Sequence, residues 1–102
     1  MSHSLKVTRL ASEDYENILD YTIERWGLGQ YRKYRSMLRD AIDSITENPQ
    51  HLISKTREDL FDGARLYPIG RHYLVYYTSG EIVILARILH QQMDLVSNLD
   101  EI

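Results

Sequence analysis

The chain predicts an α+β fold of order β-α-α-β-β-β, in which a helical hairpin packs on one face of a small, mainly antiparallel sheet. Three observations predict it. Apolar residues recur three and four apart through two consecutive stretches, the period drops to two between residues 64 and 89, and one short alternating segment precedes the helices. At 102 residues the chain is long enough for one domain, residues 1–102, burying roughly 60 to 70% of its unfolded surface.

Residues 5–10 alternate Leu5 and Val7 with Lys6 and Thr8 and read as the first strand. Ser12 reads as a helix N-cap, with Glu13 and Asp14 in the electropositive first turn. Tyr15, Ile18, Leu19, Thr22, Ile23 and Trp26 then form one apolar stripe that Gly27 terminates. A short connection through Gly27, Leu28 and Gly29 leads to a second helix, whose Tyr31, Tyr34, Leu38, Ile42 and Ile45 keep the spacing as far as Asn48 and Pro49. Helices joined so closely pack as an antiparallel hairpin.

Residues 50–62 carry no clear period and read as a loop. Residues 64–69, 72–78 and 81–89 are rich in Tyr, Val, Ile and Leu, with Gly70 and the pair Ser79, Gly80 as turns, which predicts a three-stranded meander. Pro68 has no amide hydrogen and pushes its strand toward an edge or shortens it, whereas residues 82–85 are uninterrupted and read as central. Residues 91–102 add a short helix or a tail.

Composition narrows the function classes. Without cysteine there is no disulfide and no thiolate metal site, which suits a reducing cytoplasm. No apolar run approaches 18 residues and residues 1–10 lack a signal-peptide core, so we expect a soluble, unexported, cytoplasmic protein with no membrane contact. A formal net charge of −3 argues against a protein whose main task is gripping phosphates, and no sequence-specific nucleic-acid binding is expected. Positive charge is nevertheless local, with Arg32, Arg35 and Arg39 at helical spacing. Glu13, Glu16, Asp20 and Glu24 are spaced as a solvated helix face. His3, His51 and His72 share no metal-ligand spacing, the five glycines are scattered singly, and neither a metal nor a cofactor is expected.

The richest polar stretch, Arg87 to Asp94, arrives at the end of the last strand and delivers a cation, a histidine and a carboxylate together. With Asn48 and Pro49 closing the second helix, Gly63 and Arg65 opening the meander, His72, Leu74 and Tyr76 in its middle strand, and the motif RILHxxMD within residues 84–94, the chain resembles the ParE branch of the RelE/ParE toxin superfamily. The resemblance covers residues 5–94 in order. It implies a toxin held inactive by a ParD-like antitoxin in a hetero-oligomer. ParE toxins act on DNA gyrase, trapping it with broken DNA, and RelE relatives cut messenger RNA on the ribosome. One fold thus hosts two activities. The family often carries an arginine just before the Met, Asp pair, and Gln92 stands there in this chain. A decayed toxin that only binds its antitoxin is therefore a third reading.

On the gyrase reading, Arg87, His90, Gln92, Met93 and Asp94 would contact the target. On the ribonuclease reading, Arg65, Arg71, Arg87 and His90 would form a catalytic set, with His90 exchanging protons and the arginines holding phosphate. Nuclease relatives carry more lysine in the loop and an aromatic residue after the last strand, where this chain has Lys55 and Gln91, which favours binding over catalysis. The simpler reading is that Arg87 and His90 pair with Asp94 or cap the final turn. Tyr31, Arg32, Tyr34, Arg35, Leu38 and Arg39 on the second helix, with Tyr73 and Tyr77 in the sheet, are candidate antitoxin contacts. Tyr76 and Tyr77 are adjacent in a strand and must face opposite sides, so the helix-free face needs solvent, a partner or a tail over it, and an antitoxin segment is the natural cover.

Overall fold

The computed structural model describes residues 3–99. The elements are β1 (Ser4–Val7), α1 (Arg9–Trp26), α2 (Leu28–Glu47), β2 (Lys55–Thr56), β3 (Arg65–Ile69), β4 (His72–Ser79), β5 (Ile82–His90) and α3 (Leu95–Asn98). The strands form one sheet in the order β1-β5-β4-β3-β2, with β1 parallel to β5 and every other pair antiparallel. The chain starts at one edge, crosses the sheet as the helical hairpin, and returns strand by strand. Two-residue loops at 70–71 and 80–81 make the return possible. In each, only the first residue has a positive φ, +54° at Gly70 and +61° at Gly80, as in the II′ hairpin turn.

The expected α+β architecture stands, with corrections to its boundaries. Thr8, not Ser12, caps α1: its hydroxyl accepts the Ala11 amide at 3.1 Å while donating to the Ala86 carbonyl at 2.7 Å. Both residues have cap chemistry, but only Thr8 is also held by the sheet, so residues 9 and 10 are helical rather than extended. Gly27 alone separates the two helices, at φ +89°, and Gly29 lies inside α2. The aperiodic segment contains the two-residue β2, which pairs with Arg65 and Leu66. Because β2 reaches no further, Pro68 sits on the unpaired half of β3, although β3 as a whole is internal.

A bulge shapes the centre of the sheet. Val75 pairs with Arg87 and Tyr76 with Leu85, so Ala86 is the extra residue, and Leu85 and Ile88 both join the core under the helices. That core is built from Ala11, Leu19, Tyr34, Leu38, Ala41 and Ile45 of the helices against Tyr67, Leu74, Tyr76, Val83, Leu85 and Ile88 of the strands. Tyr76 is fully buried, its hydroxyl 2.6 Å from the Pro49 carbonyl and 2.5 Å from the Ser54 hydroxyl. Tyr77 faces the other way and meets Phe61 edge-on at 5.7 Å. The opposite face has its own cover: Leu66, Val75, Leu89 and Leu99 are buried there beneath Leu60, Phe61 and Leu95. Of the covers expected, solvent, a partner or a tail, the chain's own residues 60–61 and 95–99 supply this one, rather than the antitoxin segment named as the natural cover. Residues 100–102 of the expected tail lie outside the described residues.

Where β1 ends, α1 takes over the exposed edge of β5. The Thr8 amide donates to the Leu85 carbonyl, and Asp14 accepts the Ile88 amide at 3.0 Å. Asp14 also receives both arms of Arg87, at 2.8 and 3.0 Å, and Arg87 donates a third bond to the Asn98 carbonyl at 2.9 Å. One guanidinium thereby ties α1, β5 and α3 together.

Candidate functional site

An open cleft of about 630 Å³ lies where the hairpin tip meets the β3–β4 turn and the end of β5. The helices contribute Ile18, Tyr21, Trp26 and Tyr34 to its walls, and the sheet end contributes Arg71, His72 and His90. Its polar centre is built on Tyr34, whose hydroxyl lies 2.6 Å from His72 Nδ1 and 3.3 Å from the Ile69 carbonyl and accepts the Arg71 amide at 3.1 Å. The turn must come this close: a Cβ on Gly70 would stand 2.6 Å from the Tyr34 ring, so glycine is required there for space as well as for φ.

Protonation follows from this geometry. Burial holds the Tyr34 phenol above its ordinary pKa, so it remains a hydrogen-bond donor. Burial first, then the neighbouring His90 and Arg71, push His72 down to about 4, with distant Asp14 opposing. His72 is therefore neutral near pH 7, and its Nδ1 shares a hydrogen bond with the Tyr34 hydroxyl. His90 pairs with His72 across the strands, their rings edge-on at 5.2 Å. Its Nδ1 accepts the Gln92 amide at 3.1 Å, so in the neutral ring Nε2 bears the hydrogen. The Gln91 side chain clamps the following turn to the Gly70 and His72 carbonyls.

The depressed His72 pKa makes stability pH-dependent with a defined sign. The unfolded chain takes up this proton near pH 6.5 and the folded chain only near 4. The His72 contribution is therefore complete above pH 6.5 and drains away as the pH falls toward 4. Allowing for partial solvent access, we expect a loss of about 1–2 kcal/mol over that window. Urea denaturation of the wild type and of His72→Gln at several pH values checks this, the variant showing the shallower profile.

The other residues singled out in the sequence divide. Arg71 and His90 meet in the cleft, but Arg65 does not join them. It donates to the Ser54 hydroxyl at 2.8 Å and pairs in register with Tyr76, about 13 Å along β4 from His72 at ~3.3 Å per residue. Arg87 is turned to Asp14 rather than to Asp94, and it does bond the final helical turn. Asp94 caps α3 by accepting from Val96 and Ser97, bonds that hold its carboxyl below the usual range. Gln92 and Met93 are exposed in the intervening turn. On α2, Leu38 and Tyr34 are buried and belong to the core, which corrects their reading as surface contacts. Tyr31, Arg35 and Arg39 line a groove between the helices opposite Glu16 and Asp20, with the Arg35 guanidinium 5.5 Å from the Tyr31 ring centre, and Arg32 is exposed nearby. Tyr73 is half-buried on the other face of the sheet with Tyr77. Among the described residues no three metal-ligating side chains converge.

Residues 5–95 match the family described as ParE toxin of type II toxin-antitoxin system, parDE. The chain belongs to this family. It is 36% identical over 100 residues to Toxin ParE1 of Mycobacterium tuberculosis, covering 97% of this chain and all of that one. Toxin ParE1 of Caulobacter vibrioides is 33% identical, covering 92% and 95%, and Toxin ParE of Escherichia coli 31%, covering 91% and 89%. The fold is shared with a chain of the chromosomal ParDE system from P. aeruginosa (TM-score 0.73, 20% identity, 87% and 96% covered). It is shared as well with a chain of the RelBE2 toxin-antitoxin complex from M. tuberculosis (TM-score 0.60, 16% identity, 89% and 100% covered). The ParE-family toxin carries the Tyr34, His72 and His90 cluster at its sheet end. Tyr21, Trp26 and Tyr34 were not among the cleft residues expected from sequence. The signal available for Trp26 was its place as the last residue of a stripe, directly before the glycine that turns the hairpin.

Proposed function

We propose that this toxin acts by binding DNA gyrase in the cytoplasm and that a ParD-like antitoxin neutralises it by folding onto it in a hetero-oligomer. The observation that carries binding over RNA cleavage is the dispersal of the four candidate catalytic groups. Arg65 is committed to Ser54 and Arg87 to Asp14 and Asn98, so only Arg71 and His90 are left in one place. Cleavage by the 2′-hydroxyl needs a base, an acid and phosphate-holding cations around one reacting atom. The turn after β5, with exposed Gln92 and Met93 beside His90, is the target-facing element in this reading. The α2 groove with Tyr31, Arg32, Arg35 and Arg39 suits an acidic antitoxin segment.

Pull-down of purified gyrase by antitoxin-free toxin tests the proposal. Retention that is lost when antitoxin is added supports it. Messenger RNA cut inside translating ribosomes, with the cuts abolished in a folded His90→Ala variant, would instead support the ribonuclease reading.

A further inference from the structure

The cleft at the sheet end has the make-up of a small-ligand site, and of its lining the gyrase-binding proposal uses only His90. Its volume, about 630 Å³, is that of a pocket for a drug-sized molecule. Two large aromatic rings remain exposed on its wall, Tyr21 at 62% and Trp26 at 56%, although both lie on a helix with a well-formed buried stripe. The Arg25 guanidinium lies 5.5 Å from the centre of the indole ring and adds positive charge beside it.

The polar side of the cleft is built for an anion. Arg71 has no ion pair or side-chain hydrogen bond among the described residues, and no Asp or Glu lines the cavity. The Gln92 amide donates to Nδ1 of His90, which leaves Nε2 of that ring as a donor, and His72 stands edge-on beside it at 5.2 Å. Two donor groups at one sheet end, one of them a guanidinium, suit a phosphate. Rings exposed on the facing wall suit a planar base.

We propose that this cleft binds a nucleotide, its base stacked on Trp26 and Tyr21 and its phosphate held by Arg71 with the Nε2 donor of His90. No bond is made or broken. The ligand is a mononucleotide or one unit of a single strand, two sources sharing the same chemistry. The claim is independent of gyrase, because the toxin alone should bind.

Trp26 is the sole tryptophan, so its fluorescence reports directly on stacking. The full chain is titrated with AMP, adenosine, inorganic phosphate and a short single-stranded oligodeoxyadenylate. We expect saturable quenching by AMP, about tenfold weaker binding of adenosine, and about tenfold loss of AMP affinity in Arg71→Gln with adenosine binding unchanged. Arg71 is exposed, so this variant should keep the wild-type denaturation midpoint. Tighter binding of the oligonucleotide than of AMP, with the same Arg71 dependence, supports the site and identifies the strand as source. Binding of AMP but not of the oligonucleotide supports it with a free nucleotide as source. Absence of saturable quenching by either, phosphate binding as tight as AMP, or quenching indifferent to Arg71→Gln would overturn the proposal.

Discussion

Asp14→Ala should destabilise the protein by about 3–5 kcal/mol, the range for removing one partner of a buried ion pair. The two side chains are each only 15% exposed. The substitution takes away both Asp14 bonds to Arg87 and the acceptor for the Ile88 amide. Asp14→Asn retains a neutral acceptor and should lose less. Replacing both partners with apolar residues, as in the double variant Asp14→Leu, Arg87→Met, should recover much of the loss, because no lone charge is left buried. Urea denaturation of the four proteins checks this, and loss of well under 1 kcal/mol in Asp14→Ala would show that Arg87 is not a structural tie. The result bears on function directly. A single substitution at Arg87 lowers stability by breaking the same tie, so lost toxicity alone would not make Arg87 a target contact.

Leu38→Ala is expected to cost about 3 kcal/mol, since Leu38 is fully buried between α2 and the sheet and its removal leaves a cavity. The neighbouring Arg39 points to solvent and lines the interhelical groove, so Arg39→Ala should change stability by less than about 0.5 kcal/mol. If the groove binds antitoxin, the pair separates cleanly. Arg39→Ala weakens antitoxin capture at unchanged stability, and Leu38→Ala lowers the denaturation midpoint while the protein that remains folded still binds. A Leu38→Ala variant as stable as the wild type would contradict the packing described.

The same two residues show what was legible in the sequence. The three-four spacing revealed the α2 stripe, but spacing does not separate the centre of a stripe from its border, so Leu38 and Arg39 were grouped as contacts. The meander was legible because two turn glycines separate strands of period two. Its register was not. With Ser79 opposite Ile82, an unbroken ladder would set His72 opposite Leu89, and only the bulge at Ala86 brings His90 there. Nothing in Leu85, Ala86, Arg87 announces a bulge, and so the His72–His90 pairing and the cleft built on it were hidden. Arg87 was singled out for its position at a strand end, but its partner lies 73 residues away on α1, a contact that spacing along the chain does not encode. Strand β2 was missed because two residues give no period.

The most direct test of the central claim is a supercoiling reaction with purified gyrase, run with and without this toxin, reading inhibition and cleaved DNA on one gel. The account predicts inhibition with trapped breaks, relieved by a ParD-like antitoxin; full supercoiling activity with intact DNA at micromolar toxin would contradict it.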